Sequence, residues 1–190
     1  MTISTTKIKK HTMALKNNVF FNKKKWPHFD LLFEDIINLS RATKSKKVVI
    51  LERTGLYGDI SLFAPFFSNK NEVISIDCST KRLKRRGDYN SSLIKKDDII
   101  RINNNFASSY KKINLKKNSA DLIIVPNLLH HIDDIDLFLK EVKRILNLNG
   151  TLYLFEPLVR ELHQIPDDFI RYTPFGLEAK LKKLKFKKME

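Results

Sequence analysis

The clearest pattern of apolar and polar positions lies between residues 119 and 157. Residues 120–125 form an apolar run without regular polar alternation, which is typical of a strand buried on both faces of a parallel sheet. Apolar residues then recur every three or four positions over residues 135–146 and predict an amphipathic helix that residues 147–150 end. Residues 151–155 predict a second strand. Two apolar strands joined in this way indicate a right-handed parallel crossover.

An earlier unit repeats this plan. Residues 47–51 predict a strand, residues 52–58 a loop with two glycines, residues 59–67 a helix, and residues 72–76 a second strand closed by Asp77. A carboxylate at this position holds a ribose diol in dinucleotide-type folds. From the spacing alone, an Asp77 that only caps the following turn remains an equal alternative. Both units together predict an α/β fold.

Polar residues follow the strands of the second unit. His130 and His131 come after its first strand, and Glu156 ends its second. Ligands of parallel sheets bind at the carboxyl ends of the strands. We therefore expect a binding site at this edge of the sheet.

Four stretches of this chain resemble class I S-adenosylmethionine-dependent methyltransferases of the type 11 kind. The stretches are VVILERTGLYGD, VISID, SADLIIVPNLLHHI and FLKEVKRILNLNGTLYLFEP. A tail segment resembles one that many bacterial members carry after the fifth strand, often in enzymes linked to cell-envelope saccharides. The matching residues are His163, Gln164, Pro166, Asp168, Arg171, Tyr172, Thr173, Pro174 and Gly176. The resemblance covers residues 47–186. It implies a Rossmann-like, mostly parallel sheet with helices on both faces.

The resemblance also implies S-adenosylmethionine as cofactor. The residues expected to bind it are Glu52, Gly55, Gly58, Asp77, Cys78, Asn104, Asn105, Phe106 and Asn127. Of these, the adenine is expected near Asn104, Asn105 and Phe106, after a third strand at residues 99–102. The glycine loop departs from the family, because Thr54 and Leu56 stand where the family has glycine. Cys78 has the alternative of a buried apolar filler.

Two histidines are candidates for removing a proton from the methyl acceptor, because a histidine near neutral pKa suits that task. His163 is the better candidate base, since His131 has the alternative of anchoring its loop by hydrogen bonds. Residues expected to bind the acceptor are Glu156, Arg171 and Tyr172, and Arg171 has the alternative of pairing with Asp167 or Asp168. No set of Cys, His and carboxylates has metal-ligand spacing along the chain, so we expect no metal.

The two ends of the chain set the expected domain limits. Residues 1–25 hold seven lysines and no acid, which predicts a loose basic segment ahead of a single domain at residues 26–190. A helix is expected at residues 173–184, and the chain stops at Glu190. The family's last strands are therefore expected to be absent. An open sheet edge of this kind favours a homo-oligomer.

The formal net charge of +15 makes nucleic acid a candidate binding partner. The chain is also rich in Asn and Ile, so the bias of an AT-rich genome is the favoured explanation of its lysines. One cysteine, no signal-peptide core and no apolar span indicate a cytoplasmic protein. The expected function is methyl transfer to a small-molecule or saccharide acceptor. A non-catalytic binding or assembly module and a nucleic-acid-binding protein are the alternatives.

Overall fold

The computed structural model describes residues 3–17, 27–53, 60–78, 97–102, 105–106 and 110–188. The elements in chain order are α1 (Thr5–Lys16), α2 (His28–Ala42), β1 (Lys47–Glu52), α3 (Ala64–Phe67), β2 (Glu72–Asp77), β3 (Asn105–Phe106), β4 (Ala120–Pro126), a 3-10 helix (Leu129–His131), α4 (Ile135–Ile145), β5 (Leu146–Phe155) and α5 (Pro174–Lys183). The strands form one sheet in the order β3-β2-β1-β4-β5, and every pair of neighbours is parallel. The predicted Rossmann-like α/β fold is confirmed.

The central strand β1 explains why the sheet is covered on both faces. Val48 and Ile50 pack into a core with α1, α2 and α3, whereas Val49 and Leu51 pack into a second core with α4. Successive side chains of a strand point to opposite faces, so an all-apolar strand needs a layer on each side. The neighbouring strand β4 divides its side chains in the same way.

The second crossover unit has the predicted order. In α4, the Asp134 side chain accepts a hydrogen bond from the Leu137 amide at 3.0 Å and caps the helix start. The apolar face of α4 is buried through Phe138, Leu139 and Val142. The expected helix end at residues 147–150 is wrong, because these residues belong to β5. Leu146 pairs with Ala120 there, ahead of a register shift.

Two other predicted boundaries are wrong. The third strand is β3 rather than residues 99–102, and β3 pairs with Ile76 and Asp77. Ile99 is instead buried in the core, because an apolar residue of a loop can fill space without pairing. The helix expected at residues 59–67 is only α3 among the described residues, and Pro65 lies in its first turn.

The N-terminal segment is more ordered than expected. The prediction of a loose stretch is wrong for α1, which Ser4 caps through the Lys7 amide. The helix forms because Leu15 and His11 are buried against the sheet layer, despite the lysines on its outer side. The domain limits at residues 1–25 and 26–190 remain a prediction.

The sheet ends at β5 on one side. Within the described residues, β5 pairs with β4 alone and no later strand joins the sheet. Association of two copies through this edge stays a prediction. No helix in the described part of the chain has the length and apolar character needed to cross a membrane.

Candidate functional site

Two buried carboxyl groups lie side by side at the carboxyl ends of β1 and β2. Glu52 and Asp77 are register partners, and both are almost fully buried. Glu52 accepts hydrogen bonds from the Ser61 hydroxyl, from the Ser75 hydroxyl at 2.8 Å and from the Leu62 amide at 3.2 Å. Burial raises the pKa of Glu52 to about 7, and the charge of Asp77 acts in the same direction while the three hydrogen bonds oppose it.

Asp77 fits a ribose diol. A buried carboxylate at the end of the second strand is the group that accepts two hydroxyl hydrogen bonds in folds of this type. The backbone of β3 pairs with Asp77, so Asn105 and Phe106 lie at the same end of the sheet. Cys78 is buried in the core beside α4, its amide donates to the Glu52 carbonyl at 2.7 Å, and burial raises its thiol pKa.

Sequence reasoning did not identify Arg53, which the structure places in this site. Its side chain is only 5% exposed and contacts Asp167, with Nη2 at 3.2 Å from Oδ2 and Nη1 donating to the backbone carbonyl at 3.3 Å. Burial lowers the pKa of Arg53 to about 10, against the opposing charges of Asp167 and Asp77, so the group stays cationic at neutral pH. The only signal in the sequence was a charged residue directly after a buried strand.

Three histidines meet near the carboxyl end of β4. We call His130, His131 and His163 the histidine cluster; each has a ring nitrogen within 4.8 Å of a ring nitrogen of the other two. His130 and His131 lie in the 3-10 helix after β4, and His163 comes from the segment after β5. The expectation of no metal stays a prediction, but it did not anticipate that three histidines meet here. It relied on spacing along the chain, and His163 is 33 residues from His130.

The Nδ1 atom of each cluster histidine faces an oxygen. His130 Nδ1 contacts a carboxylate oxygen of Glu156, and His131 Nδ1 contacts the backbone carbonyl of Asp167. His163 Nδ1 lies 3.1 Å from the Glu161 carbonyl and 3.1 Å from Oδ2 of Asp168. Oxygen acceptors at Nδ1 place the proton of a neutral imidazole there and the lone pair on Nε2.

Two of the cluster histidines, His131 and His163, have a lower pKa than free imidazole. Burial lowers the pKa of His163 to about 4, and the nearby charge of Arg160 adds to the effect. Burial and the charge of Arg53 lower the pKa of His131. Both rings are therefore neutral at pH 7, and the pKa of His163 lies below the near-neutral value expected for it from the sequence.

The predicted acceptor residues make internal contacts. Glu156 accepts from the Leu129 amide at 2.8 Å in addition to His130, and its side chain is buried. Arg171 donates two hydrogen bonds to Asp168, which is the alternative pairing considered for it. Tyr172 is half-buried against the second core, and burial raises its pKa. A direct contact of these residues with an acceptor remains a prediction.

The remaining predicted residues have different outcomes. Gly55, Gly58 and Asn104 lie outside the described residues. Asn127 has a positive φ of 55°, donates its amide to the Phe155 carbonyl at 2.7 Å and accepts a long 3.4 Å hydrogen bond from Arg160. This turn places Asn127 at the carboxyl end of β4, and its contact with a cofactor stays a prediction.

Comparison with known proteins agrees with this architecture. The family model described as a methyltransferase domain matches residues 58–154, about half of the chain. The curated proteins offer no significant sequence match.

Solved structures with the same fold include three methyltransferases. A SAM-dependent methyltransferase from Aquifex aeolicus is 18% identical with a TM-score of 0.52, and the match covers 79% of this chain and 77% of that one. A putative methyltransferase from Bacillus halodurans C-125 is 14% identical with a TM-score of 0.61, over 83% and 69% of the two chains. The carbon methyltransferase CurJ is 12% identical with a TM-score of 0.54, over 96% and 61%.

The family match includes Asp77, His130 and His131, whereas Glu52 and His163 lie outside it. The solved structures share the parallel sheet that places these groups at its carboxyl edge. The chain belongs to the methyltransferase-domain family and is a class I S-adenosylmethionine-dependent methyltransferase.

Proposed function

We propose that the protein methylates a small-molecule or saccharide acceptor, which binds between the carboxyl edge of the sheet and residues 157–173, the acceptor segment. The observation that carries this proposal is the packing of that segment over the strand ends. Asp167 contacts both Arg53 and His131, and the Phe169 amide donates to the His130 carbonyl at 2.7 Å. An acceptor held by this segment would lie next to the cofactor residues.

Asp77 would hold the cofactor ribose, in the position that suits a diol. Glu52 lies beside it and is fixed by Ser61 and Ser75, so it would shape the same cavity. Bound S-adenosylmethionine supplies a sulfonium-activated methyl group, so the protein has to position the acceptor and exclude water. The Arg53–Asp167 ion pair joins the end of β1 to the acceptor segment and supports that alignment.

His163 is the proposed base. Its Nε2 carries the lone pair when Nδ1 donates to the Glu161 carbonyl or to Asp168, and it would accept the proton of an acceptor hydroxyl or amine. The two hydrogen bonds from Arg171 fix Asp168 against His163, so Arg171 would position the base as well as line the segment. His131, whose Nδ1 donates to Asp167, would hold the segment in place.

The test is transfer of labelled methyl groups. Tag-free protein is incubated with methyl-labelled S-adenosylmethionine and separate pools of saccharides, small metabolites, RNA, DNA and protein. We expect label in the saccharide or small-metabolite pool, with loss in Asp77→Ala. Glu72→Ala is the matched control, because Glu72 lies at the opposite end of the same strand with a side chain 64% exposed.

Label found only in nucleic acid or in protein would overturn the proposed acceptor class. Turnover that Asp77→Ala leaves intact would overturn the proposed cofactor position. Cofactor binding without transfer to any pool would favour the non-catalytic alternative over the proposed acceptor class.

A further inference from the structure

One contact within the histidine cluster joins two ring nitrogens that both carry lone pairs in the neutral state. His130 Nε2 and His163 Nε2 are 3.1 Å apart. The Nδ1 proton of His130 is directed to Glu156, and that of His163 to the Glu161 carbonyl or Asp168. Two lone pairs at this distance repel each other unless a positive charge lies between them. That charge is either an additional proton or a metal ion.

We propose that the histidine cluster binds one divalent transition-metal ion, with Zn²⁺ as the best match, through Nε2 of His130 and His163 and a ring nitrogen of His131. Three imidazoles are a preferred ligand set for zinc, copper, iron and nickel. A Zn–N distance of about 2.0–2.1 Å in a tetrahedral site places two ligand nitrogens about 3.3 Å apart. The 3.1 Å between His130 and His163 is close to that value.

His131 completes the set with a modest adjustment. One ring nitrogen of His131 lies within 4.8 Å of a ring nitrogen of each of the other two histidines, and a shift of about 1.5 Å brings two nitrogens at that limit to tetrahedral spacing. Rotation of an imidazole about χ2 covers such a change, since this torsion has a broad minimum. A fourth position remains for water or for an acceptor oxygen.

The surroundings of the cluster are those of a ligand set. Metal-bound histidines donate their second ring N–H to a carboxylate or a backbone carbonyl, which fixes the tautomer and the ring orientation. Here the Glu156 carboxylate serves His130, the Asp167 carbonyl serves His131, and the Glu161 carbonyl serves His163. His130 is fully buried and the His163 side chain is 14% exposed, so an ion would enter from the His163 side.

Metal binding goes beyond the proposed function and does not depend on methyl transfer. A metal ion would use the lone pair that His163 needs as a base. The two roles therefore exclude each other in one molecule. Metal-free and metal-loaded protein can be compared for transfer once binding has been measured.

The test is a zinc titration of tag-free, chelator-treated full-length protein by calorimetry, with Co²⁺ absorption as a second readout of ligand geometry. We expect one ion per chain and a tetrahedral Co²⁺ spectrum. His163→Ala should weaken zinc binding by more than about 100-fold. His28→Ala is the matched control, because His28 is half-buried but outside the cluster, and it should bind as the wild type does.

A thermal shift measurement gives a further readout that does not depend on the Co²⁺ absorption spectrum. Zinc should raise the midpoint of unfolding in the wild type and in His28→Ala, because an ion that binds only the folded state stabilises it. Circular dichroism first confirms that His163→Ala is folded. A stoichiometry far below one, or equal zinc affinity in His163→Ala and the wild type, would overturn the proposal and leave a shared proton as the positive charge.

Discussion

His11 and the histidine cluster are both buried, but their ring nitrogens have different partners. His11 Nε2 donates to the Leu62 carbonyl at 2.9 Å, and its Nδ1 accepts from the Ile100 amide at 3.1 Å. Backbone groups thus satisfy both nitrogens. In the cluster only Nδ1 of each ring faces an oxygen, and two Nε2 atoms meet each other. Burial alone does not identify a functional histidine. The partner of its second ring nitrogen distinguishes the two cases.

The largest expected effect is on catalysis. His163→Ala should lower the turnover number by about 10² to 10⁴-fold, because it removes the proposed proton acceptor. His11→Leu should leave the turnover number of folded protein unchanged. Transfer of labelled methyl groups by both variants checks this contrast. Equal losses in the two variants would remove the functional distinction between the two sites.

The next effect is on the support of the cluster. Glu156→Ala should lower the free energy of unfolding by about 3 kcal/mol, because it leaves the His130 ring and the Leu129 amide without their buried carboxylate. Urea denaturation gives the value. Glu178→Ala, on α5 at a solvent-facing pair with Lys182, is the control and should leave the free energy of unfolding nearly unchanged. A Glu156→Ala protein as stable as this control would argue against the buried contact.

A smaller loss of folding stability is expected when His11 is replaced. His11→Leu should cost about 2 kcal/mol, since the Leu62 carbonyl and the Ile100 amide lose their partner inside the protein. Lys10→Ala on the same helix is the control, as its side chain is 63% exposed. Denaturation curves of the two variants should separate clearly. If they coincide, α1 is not held by its histidine.

The smallest effect concerns pH. Burial lowers the pKa of His11 in the folded state, so between that value and about 6.5 the unfolded chain binds the proton that the folded chain excludes. The free energy of unfolding should therefore fall as pH drops below about 6.5, by at most about 1.4 kcal/mol per pH unit from this residue. Stability measured at pH 7.5 and 5.5 should change less in His11→Leu than in the wild type. An identical change would mean that His11 binds its proton equally well in the folded and the unfolded state, so that burial does not lower its pKa.

The parts of the structure that the sequence predicted are those set by local patterns of apolar residues. The strands β1, β2 and β4 and the helix α4 were predictable because their apolar spacing is local. Asp77 could be named as a candidate because it ends a strand at a recognisable distance from a loop, and its role stays a prediction. The expectation of a loose N-terminal stretch was wrong for α1. Its many lysines suggested a solvated segment, although the helix has a short buried face around Leu15.

The histidine cluster and Arg53 depend on contacts that no local pattern shows. His163 reaches His130 across 33 residues, and Arg53 reaches Asp167 across 114. Such pairs arise only when the acceptor segment folds back over the strand ends. The short strand β3 was missed for a similar reason, because two residues carry no periodicity and the apolar run before them was more conspicuous.

The most direct test of the central claim is calorimetric titration of the folded protein with S-adenosylhomocysteine. We expect one site per chain in the wild type and in Glu72→Ala, and a loss of at least about 100-fold in affinity in Asp77→Ala, whose buried carboxylate would bind the ribose diol. Absence of binding to the folded wild-type protein, or binding that Asp77→Ala leaves unchanged, would contradict this account of the cofactor site.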